Sequence, residues 1–315
     1  MTAATDGMLV LRALGLGDLL TGLPALRALR RAFPGHRIAL AAPGALAPLV
    51  RLAGAADELV PTRGLGVLDW PHDPPAVAVN LHGKGPQSIA DLLAQDPAEV
   101  LTHRHPDFPG ISGPPWPDDV HEVERWCLLL EWFGLPADRH DLRLAPPPRP
   151  SPVAGAVVVH PGAAYPARRW PASQFAVVAH ALAARGHHVV VTGNSNERPI
   201  AADVAHDAGL PSNAVLAGHT DLEQLAAVVA EARLVVCGDT GVGHLATAYD
   251  TPSVLLFGPT PPQHWGPPAD DDRHVPLWAG GVGDPFGDEP SHSLLRIDPV
   301  TVFQEATALL RRWPG

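Results

Sequence analysis

Cysteine, long apolar runs and basic charge are all scarce in this chain of 315 residues. Its two cysteines, Cys127 and Cys237, allow neither a disulfide framework nor the spacing of a zinc site. The 22 lysines and arginines stand against 33 aspartates and glutamates, and the net charge of −11 speaks against bulk attraction to nucleic acid. The 17 histidines form no H-E-x-x-H or comparable set, so we expect no metal site.

Targeting and membrane signals are also missing from the sequence. Residues 1–7 carry no basic segment, and the apolar stretch that follows is short and contains Arg12. No apolar run approaches the roughly 20 residues of a membrane-spanning helix. We therefore expect no signal peptide, no transmembrane segment and a cytoplasmic location. An apolar content of 46% is typical of a folded protein.

Short apolar runs alternate with helical patterns in both halves of the chain, and the proline-rich residues 145–152 separate the halves. The runs are typical of buried parallel strands, and the stretches between them predict helices. Strands are predicted at residues 8–11, 37–41, 76–81, 156–160, 188–192, 234–237 and 253–257. Helices are predicted at residues 19–31, 120–133, 173–185, 197–208, 222–232, 244–248 and 299–313.

This alternation predicts an α/β protein with two Rossmann-like, doubly wound domains facing a central cleft. Residues 1–148 are the expected first domain and 149–298 the second. We expect the helical segment 299–315 to pack back on the N-terminal domain. Residues 267–290 are acidic and rich in glycine and proline, which predicts a long surface loop.

A glycine-rich turn, Gly-Asp-Thr-Gly-Val-Gly-His at residues 238–244, follows one predicted strand and opens a helix. Backbone N–H groups and the helix dipole favour an anion at such a point, so Thr240 and Gly241 are candidate phosphate ligands. Asp239 either belongs to this site or caps the helix. His244 lies one turn further and either faces the same ligand or is structural.

Charged residues follow two other strand ends of the second half. Gly162 and the pair Arg168 and Arg169 come after the strand at 156–160. Guanidinium groups pair well with diphosphate oxygens, although a solvated basic loop would contain the same residues. After the strand at 188–192, Glu197 is placed either to accept hydrogen bonds from ribose hydroxyls or to support a helix cap.

The turn Gly15-Leu16-Gly17-Asp18 occupies the matching place after the first strand. A dinucleotide-binding enzyme is disfavoured, because the third glycine of its fingerprint would fall on Leu20. The Asp18 carboxylate would also repel a pyrophosphate. Asp18 is therefore either a helix cap or a general base for a nucleophile such as a sugar hydroxyl.

Four segments taken together resemble glycosyltransferase family 9, the bacterial heptosyltransferases, from about residue 8 to 313. They are residues 12–18 with 24–30, 160–162 with 168–171, 239–244, and 257–260 with 265–267. Residues 121–125 are similar to the helix that the family carries before its linker. The resemblance implies a GT-B fold and inverting, metal-independent sugar transfer from a nucleotide sugar, usually ADP-heptose, without a cofactor.

The resemblance also implies roles for individual residues. Asp18 falls on the catalytic base, and Arg168 falls on a lysine that stabilises the leaving diphosphate. The implied donor-binding residues are Gly162, Arg169, Glu197, Asp239, Thr240, Gly241 and His244. Gly17, His82 and Lys84 are assigned to the acceptor, and His82 stands where the family commonly has glutamine.

The expected partners are an ADP-sugar donor and a glycan, lipid-linked or small-molecule acceptor. A monomer is expected, peripheral to the inner face of the membrane. Two other hypotheses stay open: a GT-B-like nucleotide-sugar epimerase and a non-catalytic two-domain protein that binds nucleotide sugars. An epimerase should carry extra acid and base residues facing the donor, whereas a pure binding protein has no need of Asp18.

Overall fold

The computed structural model describes residues 7–314, which divide into two compact units between Ala145 and Pro146. That boundary lies at the start of the proline-rich segment. Each unit contains one five-stranded, parallel sheet, which confirms the predicted α/β class. The predicted outer domain limits, residues 1 and 315, lie outside the described residues.

The sheet of the first unit has the strand order β3-β2-β1-β4-β5. Its strands are β1 (Gly7–Leu11), β2 (Arg37–Ala42), β3 (Glu58–Pro61), β4 (Val77–Asn80) and β5 (Glu99–Leu101). Its helices are α1 (Leu16–Thr21), α2 (Leu23–Ala32), α3 (Ala47–Ala53), α4 (Gln87–Leu93) and α5 (Glu122–Trp132).

The sheet of the second unit has the order β10-β9-β8-β6-β7. Its strands are β6 (Val157–His160), β7 (Val189–Val191), β8 (Leu234–Gly238), β9 (Ser253–Phe257) and β10 (His274–Trp278). Its helices are α6 (Ala172–Ala183), α7 (Arg198–Asp207), α8 (Leu222–Ala230), α9 (Gly241–Ala248), α10 (Pro262–Trp265), α11 (His292–Leu295) and α12 (Pro299–Arg312). No helix within residues 7–314 combines the length and apolarity needed to cross a bilayer.

The central strands are mostly apolar because both faces of a parallel sheet are covered. All residues of β4, β6, β8 and β9 are buried. Each sheet has one point where the direction of winding reverses. That point lies between β1 and β4 in the first sheet and between β6 and β8 in the second. Crevices at such reversals are where open α/β sheets bind ligands.

The helix predicted at residues 19–31 is wrong, since two helices, α1 and α2, meet at Gly22. Pro24 lies in the first turn of α2 and has no N–H to continue the preceding helix. A Cβ atom on Gly22 would lie 2.8 Å from Nε of Arg12. The absence of a side chain at Gly22 therefore leaves room for the Arg12 side chain beside α1.

One further prediction for the end of the chain needs correction. Residues 267–290 are not one loop, because they contain β10, which pairs in parallel with β9. Pro276 argues against a strand when only the sequence is considered. A proline is nevertheless tolerated in β10 because β10 is an edge strand. The helix expected to pack on the N-terminal domain is α12. Its buried residues Val302, Ala306, Leu309 and Leu310 belong to the core of the second unit.

Candidate active site

Most of the predicted site residues in each unit follow one of the two strands that flank its reversal point, whereas Glu197 follows β7. In the first unit, Leu11 of β1 is paired with Asn80 of β4. Asp18 therefore follows one strand of this pair and His82 follows the other. In the second unit, His160 of β6 is paired with Cys237 of β8. Gly162 and Asp239 come directly after these two strands.

Asp18 lies in the first turn of α1 and is half-buried. Its Oδ2 atom accepts a hydrogen bond from the Gly15 N–H at 3.1 Å, so the carboxylate closes the helix start as the capping hypothesis expects. Burial raises the pKa of Asp18, the Arg12 guanidinium opposes this rise, and the charge of Glu122 adds to it. The net result is a carboxylate more basic than an ordinary aspartate, which suits a general base.

Arg12 is fully buried behind Asp18. Its Nε donates to the backbone oxygen of Asp18 and its Nη1 to the backbone oxygen of Leu81. Its Nη2 donates to Thr21 Oγ1 at 3.0 Å and to Glu122 Oε1 at 3.2 Å. One guanidinium thus ties α1 to the segment after β4 and to the start of α5.

His82 faces the same turn from the segment after β4. The ring Nδ1 of His82 accepts the Ala13 N–H at 3.2 Å, and the backbone N–H of His82 donates to Asn80 Oδ1 at 3.1 Å. Burial lowers the pKa of His82, and the positive charge of Arg12 lowers it further. The neutral ring therefore keeps its proton on Nε2. Lys84 nearby in sequence is exposed, whereas the Gly17 carbonyl accepts the Thr21 hydroxyl at 3.1 Å.

In the second unit, Gly162 and Glu197 are in close contact. A Cβ atom on Gly162 would lie 2.2 Å from Oε1 of Glu197, so only glycine lets the carboxylate approach the backbone here. Oε2 of Glu197 accepts the Asn194 N–H at 2.8 Å in a capping box. His160 is buried beneath, with its Nδ1 3.1 Å from Thr192 Oγ1. Burial lowers the pKa of His160 and the nearby charge of Glu197 opposes this effect.

Arg168 and Arg169 lie in the segment between β6 and α6, but their side chains have different surroundings. Nε of Arg169 donates to the Ala163 oxygen at 2.9 Å, which fixes the loop itself. The Arg168 guanidinium lies 5.5 Å from the Tyr165 ring centre, and its buried Nε has no hydrogen-bond partner within residues 7–314. A Cβ atom on Gly238 would lie 3.1 Å from the Arg168 oxygen, which places this segment against the end of β8.

The turn after β8 opens α9, with Thr240 as the N-cap residue. The Thr240 side chain makes no capping hydrogen bond, and Gly241 is the first helical residue. A small pocket adjoins this helix start. It is lined by Gly238, Asp239, Thr240, Gly243, His244, Thr247, Leu255, Phe257, Trp265 and Pro267. The His244 and Trp265 rings meet edge to face, 6.0 Å apart, at this pocket.

Arg12, Glu122 and Trp265 lie beside the predicted site residues, and the sequence analysis assigns them no individual role. Arg12 and Glu122 are far apart in the chain, and neither residue type alone indicates a buried pair. The one available signal is an arginine placed directly after a buried strand, where a charge is costly unless it is paired. In the described part of the chain, no group of three or more His, Cys, Asp or Glu residues could hold a metal ion.

Comparison with protein families identifies one match, the model of glycosyltransferase family 9 (heptosyltransferase), over residues 116–280, just over half of the chain. Lipopolysaccharide heptosyltransferase 2 of Salmonella typhimurium is 32% identical over 203 residues, which are 62% of this chain and 54% of that protein. The chain spans about half the length of the curated relatives it matches.

Several solved structures are similar to this one over nearly the whole chain. ADP-heptose lipopolysaccharide heptosyltransferase II of Escherichia coli has a TM-score of 0.78 at 21% identity, covering 98% of this chain and all of that one. The E. coli heptosyltransferase WaaC with ADP has a TM-score of 0.70 at 20% identity, covering 96% and 99%. The E. coli glycosyltransferase TibC, described as iron-containing and dodecameric, has a TM-score of 0.63 at 14% identity, covering 97% and 76%. The fold is thus that of the GT-B heptosyltransferases, and the chain belongs to glycosyltransferase family 9.

Proposed function

We propose that this protein transfers a heptosyl group from ADP-heptose to a hydroxyl of an acceptor, with inversion at the anomeric carbon. Family membership supports sugar transfer from a nucleotide sugar. The names of relatives that use ADP-heptose or were solved with ADP support the choice of donor. The observation that carries the proposal is Asp18, a half-buried carboxylate of raised pKa at a reversal point of the first sheet.

In the proposed reaction, Asp18 takes the proton of the acceptor hydroxyl while the oxygen of that hydroxyl attacks the anomeric carbon. The bond from that carbon to the diphosphate breaks, and ADP leaves with the electron pair. Attack from the face opposite the leaving group inverts the configuration. His82, with its Nε2–H, and Lys84 are the proposed acceptor contacts of the first unit, together with Gly17.

The second unit is the proposed donor site. The positive charge of Arg168 and the N–H groups at the start of α9 would stabilise the negative charge that develops on the leaving diphosphate. Glu197 is proposed to accept hydrogen bonds from ribose hydroxyls, next to the open backbone at Gly162. Asp239, Thr240 and His244 line the pocket beside the helix start, and Arg169 holds the loop that carries Arg168.

The function is tested by two linked measurements. Thermal shift with a panel of ADP-, UDP-, GDP- and dTDP-sugars should single out ADP-heptose and ADP. Incubation of the enzyme and ADP-heptose with an array of glycans and small hydroxyl compounds should then give one class of acceptor carrying an added heptose, detected by mass spectrometry. Stabilisation by another nucleotide sugar, and not by ADP-heptose, would contradict the proposed donor.

Replacing Arg168 with alanine should raise the Kd for ADP by about 10- to 100-fold, because charge-assisted hydrogen bonds contribute roughly 1.5–3 kcal/mol. Calorimetric titration with ADP measures this change. Arg185→Ala is the matched control, since it removes the same charge and another arginine–aromatic contact, with Phe303, from the same unit. Equal affinities for ADP in the Arg168 variant and the wild type would place the diphosphate elsewhere.

Metal independence is the second feature of the proposal that needs a direct test. Enzyme treated with EDTA and transferred to metal-free buffer should keep its full rate of ADP release from ADP-heptose in the presence of acceptor. The physical reason is that Arg168 and the α9 N-terminus would supply the charge that a metal ion otherwise provides at a diphosphate. Loss of turnover that returns on adding Mg²⁺ or Fe²⁺ would overturn this part of the proposal.

A further inference from the structure

A buried ion pair lies behind the proposed base. Arg12 is 1% exposed, and its guanidinium donates to acceptors on α1 and on the segment after β4. A cation removed from water in this way needs a counter-charge to be tolerated. Glu122, at the first position of α5, provides it with Oε1 at 3.2 Å.

Glu122 is itself held by several donors. It accepts Nε of Arg125 at 3.1 Å and the indole N–H of Trp126 at 2.8 Å, in addition to Nη2 of Arg12. Burial alone would raise the pKa of Glu122, but Arg12, Trp126 and Arg125 together lower it. The carboxylate therefore stays ionised beside Asp18. The Trp126 ring also faces the Arg12 guanidinium, 5.1 Å from its centre.

We propose that Arg12 and Glu122 act as a pair of positioning residues that place Asp18 and set its basicity. The inference rests on the proposed role of Asp18 as the base. Arg12 holds the backbone of Asp18 in place, and Glu122 cancels the field by which an unpaired arginine would weaken the base. The substrate does not need to touch either residue, because both act through Asp18.

The two charges of the pair act on Asp18 in opposite directions. Positive charge on Arg12 favours the ionised carboxylate, whereas negative charge on Glu122 disfavours it. Among the described residues, further charged or titratable groups near the pair are His82 on the segment after β4, Arg125 on α5, and His103, whose ring lies 6.0 Å from that of Trp126. His82 is neutral above its lowered pKa, and Arg125 is paired with Glu122. The balance between Arg12 and Glu122 thus decides the net field at Asp18.

If Arg12 and Glu122 had only a structural role, replacing them one at a time would not shift the pKa of Asp18 in opposite directions. Loss of either partner would then lower stability and activity, with no ordered effect on proton binding at Asp18. A tuning pair predicts shifts of opposite sign. Glu122→Gln should lower the pKa of Asp18, and Arg12→Gln should raise it, while Arg12→Lys, which keeps the charge, should stay near the wild-type value.

The experiment is a pH titration of the full-length protein labelled with ¹³C at the aspartate carboxyl carbons, with the Asp18 signal assigned by its loss in Asp18→Asn. We expect the acid dissociation constant of Asp18 to rise about three- to tenfold in Glu122→Gln and to fall at least as much in Arg12→Gln. Glu124→Gln is the matched control, because it removes the same charge from the same helix, where Glu124 pairs with Arg139. Its Asp18 titration should match that of the wild type.

Calorimetric titration with ADP and near-ultraviolet circular dichroism check the fold of each variant. If Arg12→Gln does not fold, Glu122→Gln and Arg12→Lys still decide the matter. Equal Asp18 titrations in Glu122→Gln and Glu124→Gln overturn the inference alone, provided that Asp18→Asn has lost ADP-heptose turnover. Full turnover by Asp18→Asn overturns the proposed function, and the inference with it, whatever the titrations give.

Discussion

Replacing Asp18 with asparagine is expected to lower the rate of heptosyl transfer by about 10²- to 10⁴-fold, the usual contribution of a general base. Asparagine has nearly the same shape and keeps an oxygen that can accept the Gly15 N–H, so α1 should still start where it does. It cannot take up the acceptor proton. Transfer from ADP-heptose, measured as ADP release and as mass gain of the acceptor, should fall while the Kd for ADP stays within twofold.

Asp298→Asn is the control for this substitution, because Asp298 is also a capping carboxylate, accepting the Val300 N–H at 3.0 Å at the start of α12. We expect it to leave turnover unchanged. If Asp18→Asn retains wild-type turnover, Asp18 is only a helix cap. If transfer and ADP affinity fall together, the substitution has altered more than proton transfer, and the assignment of the base would need another residue.

The pH dependence of turnover offers an independent view of the same group. A base must be ionised to act, so kcat/KM should fall as the pH drops through the pKa of Asp18. Because that pKa is raised, the fall should begin above the range of an ordinary aspartate. Burial is the main cause of the raised pKa of Asp18. The pH at which kcat/KM falls should therefore respond more to charges placed near Asp18 than to salt.

The sequence indicates where the candidate site residues lie relative to the strands, because strand ends can be recognised from the residues themselves. Apolar runs that end in Gly-Asp or Gly-rich turns mark the carboxyl ends of parallel strands, and ligands bind there in doubly wound sheets. The sequence places Asp18 and Thr240 in turns of this kind, and in the structure each follows a strand beside a reversal point. What the sequence does not contain is the strand order, which decides that β1 lies next to β4 and β6 next to β8.

Short elements at the edges of the sheets were missed for a related reason. β3, β5 and β10 are edge strands, and two of them, β3 and β10, contain proline, so they lack the continuous apolar pattern of the central strands. Their positions depend on pairing with β2, β4 and β9, and the residues of β3, β5 and β10 do not by themselves predict this pairing. The core strands, by contrast, are identified by their own apolar patterns.

Contacts between residues that are distant in the chain could not be predicted from the sequence. Arg12 and Glu122 are 110 residues apart, and only the packing of α5 beside α2 and the β1–α1 turn brings them together. Gly162 is a second example, because its importance comes from the Glu197 carboxylate lying against its backbone. In both places the local residue types allow several structures, and the tertiary contact selects one.

Lowering the pH from 7 to 4.5 should destabilise the protein strongly through His103. This residue is 1% exposed after β5, with its Nδ1 3.2 Å from the Pro115 oxygen and its ring 5.0 Å from that of Trp116. Nε2 has no hydrogen-bond partner within residues 7–314. Burial lowers the pKa of His103 to about 4, and the charge of Arg125 contributes in the same direction.

The sign follows from the difference between the folded and unfolded states. Because the unfolded chain binds a proton near pH 6.5 and the folded chain only near pH 4, stability is lost as the pH falls through this window. A shift of this size corresponds to about 3 kcal/mol. His103→Phe keeps an aromatic ring against Trp116 and Trp126 but cannot be protonated. Its free energy of unfolding in urea should therefore fall less than that of the wild type between pH 7 and pH 4.5.

His206→Gln is the control, since His206 is exposed on α7 and its loss should leave the pH dependence unchanged. The buried His160 and His274 and the half-buried His82 also have lowered pKa values and keep part of the acid sensitivity in every variant. The test is thus the difference between the His103→Phe and wild-type slopes. If the two proteins lose the same free energy, His103 is protonated within the fold, and its Nε2 must have an acceptor. A smaller loss in the variant would instead assign part of the acid sensitivity to protonation of His103.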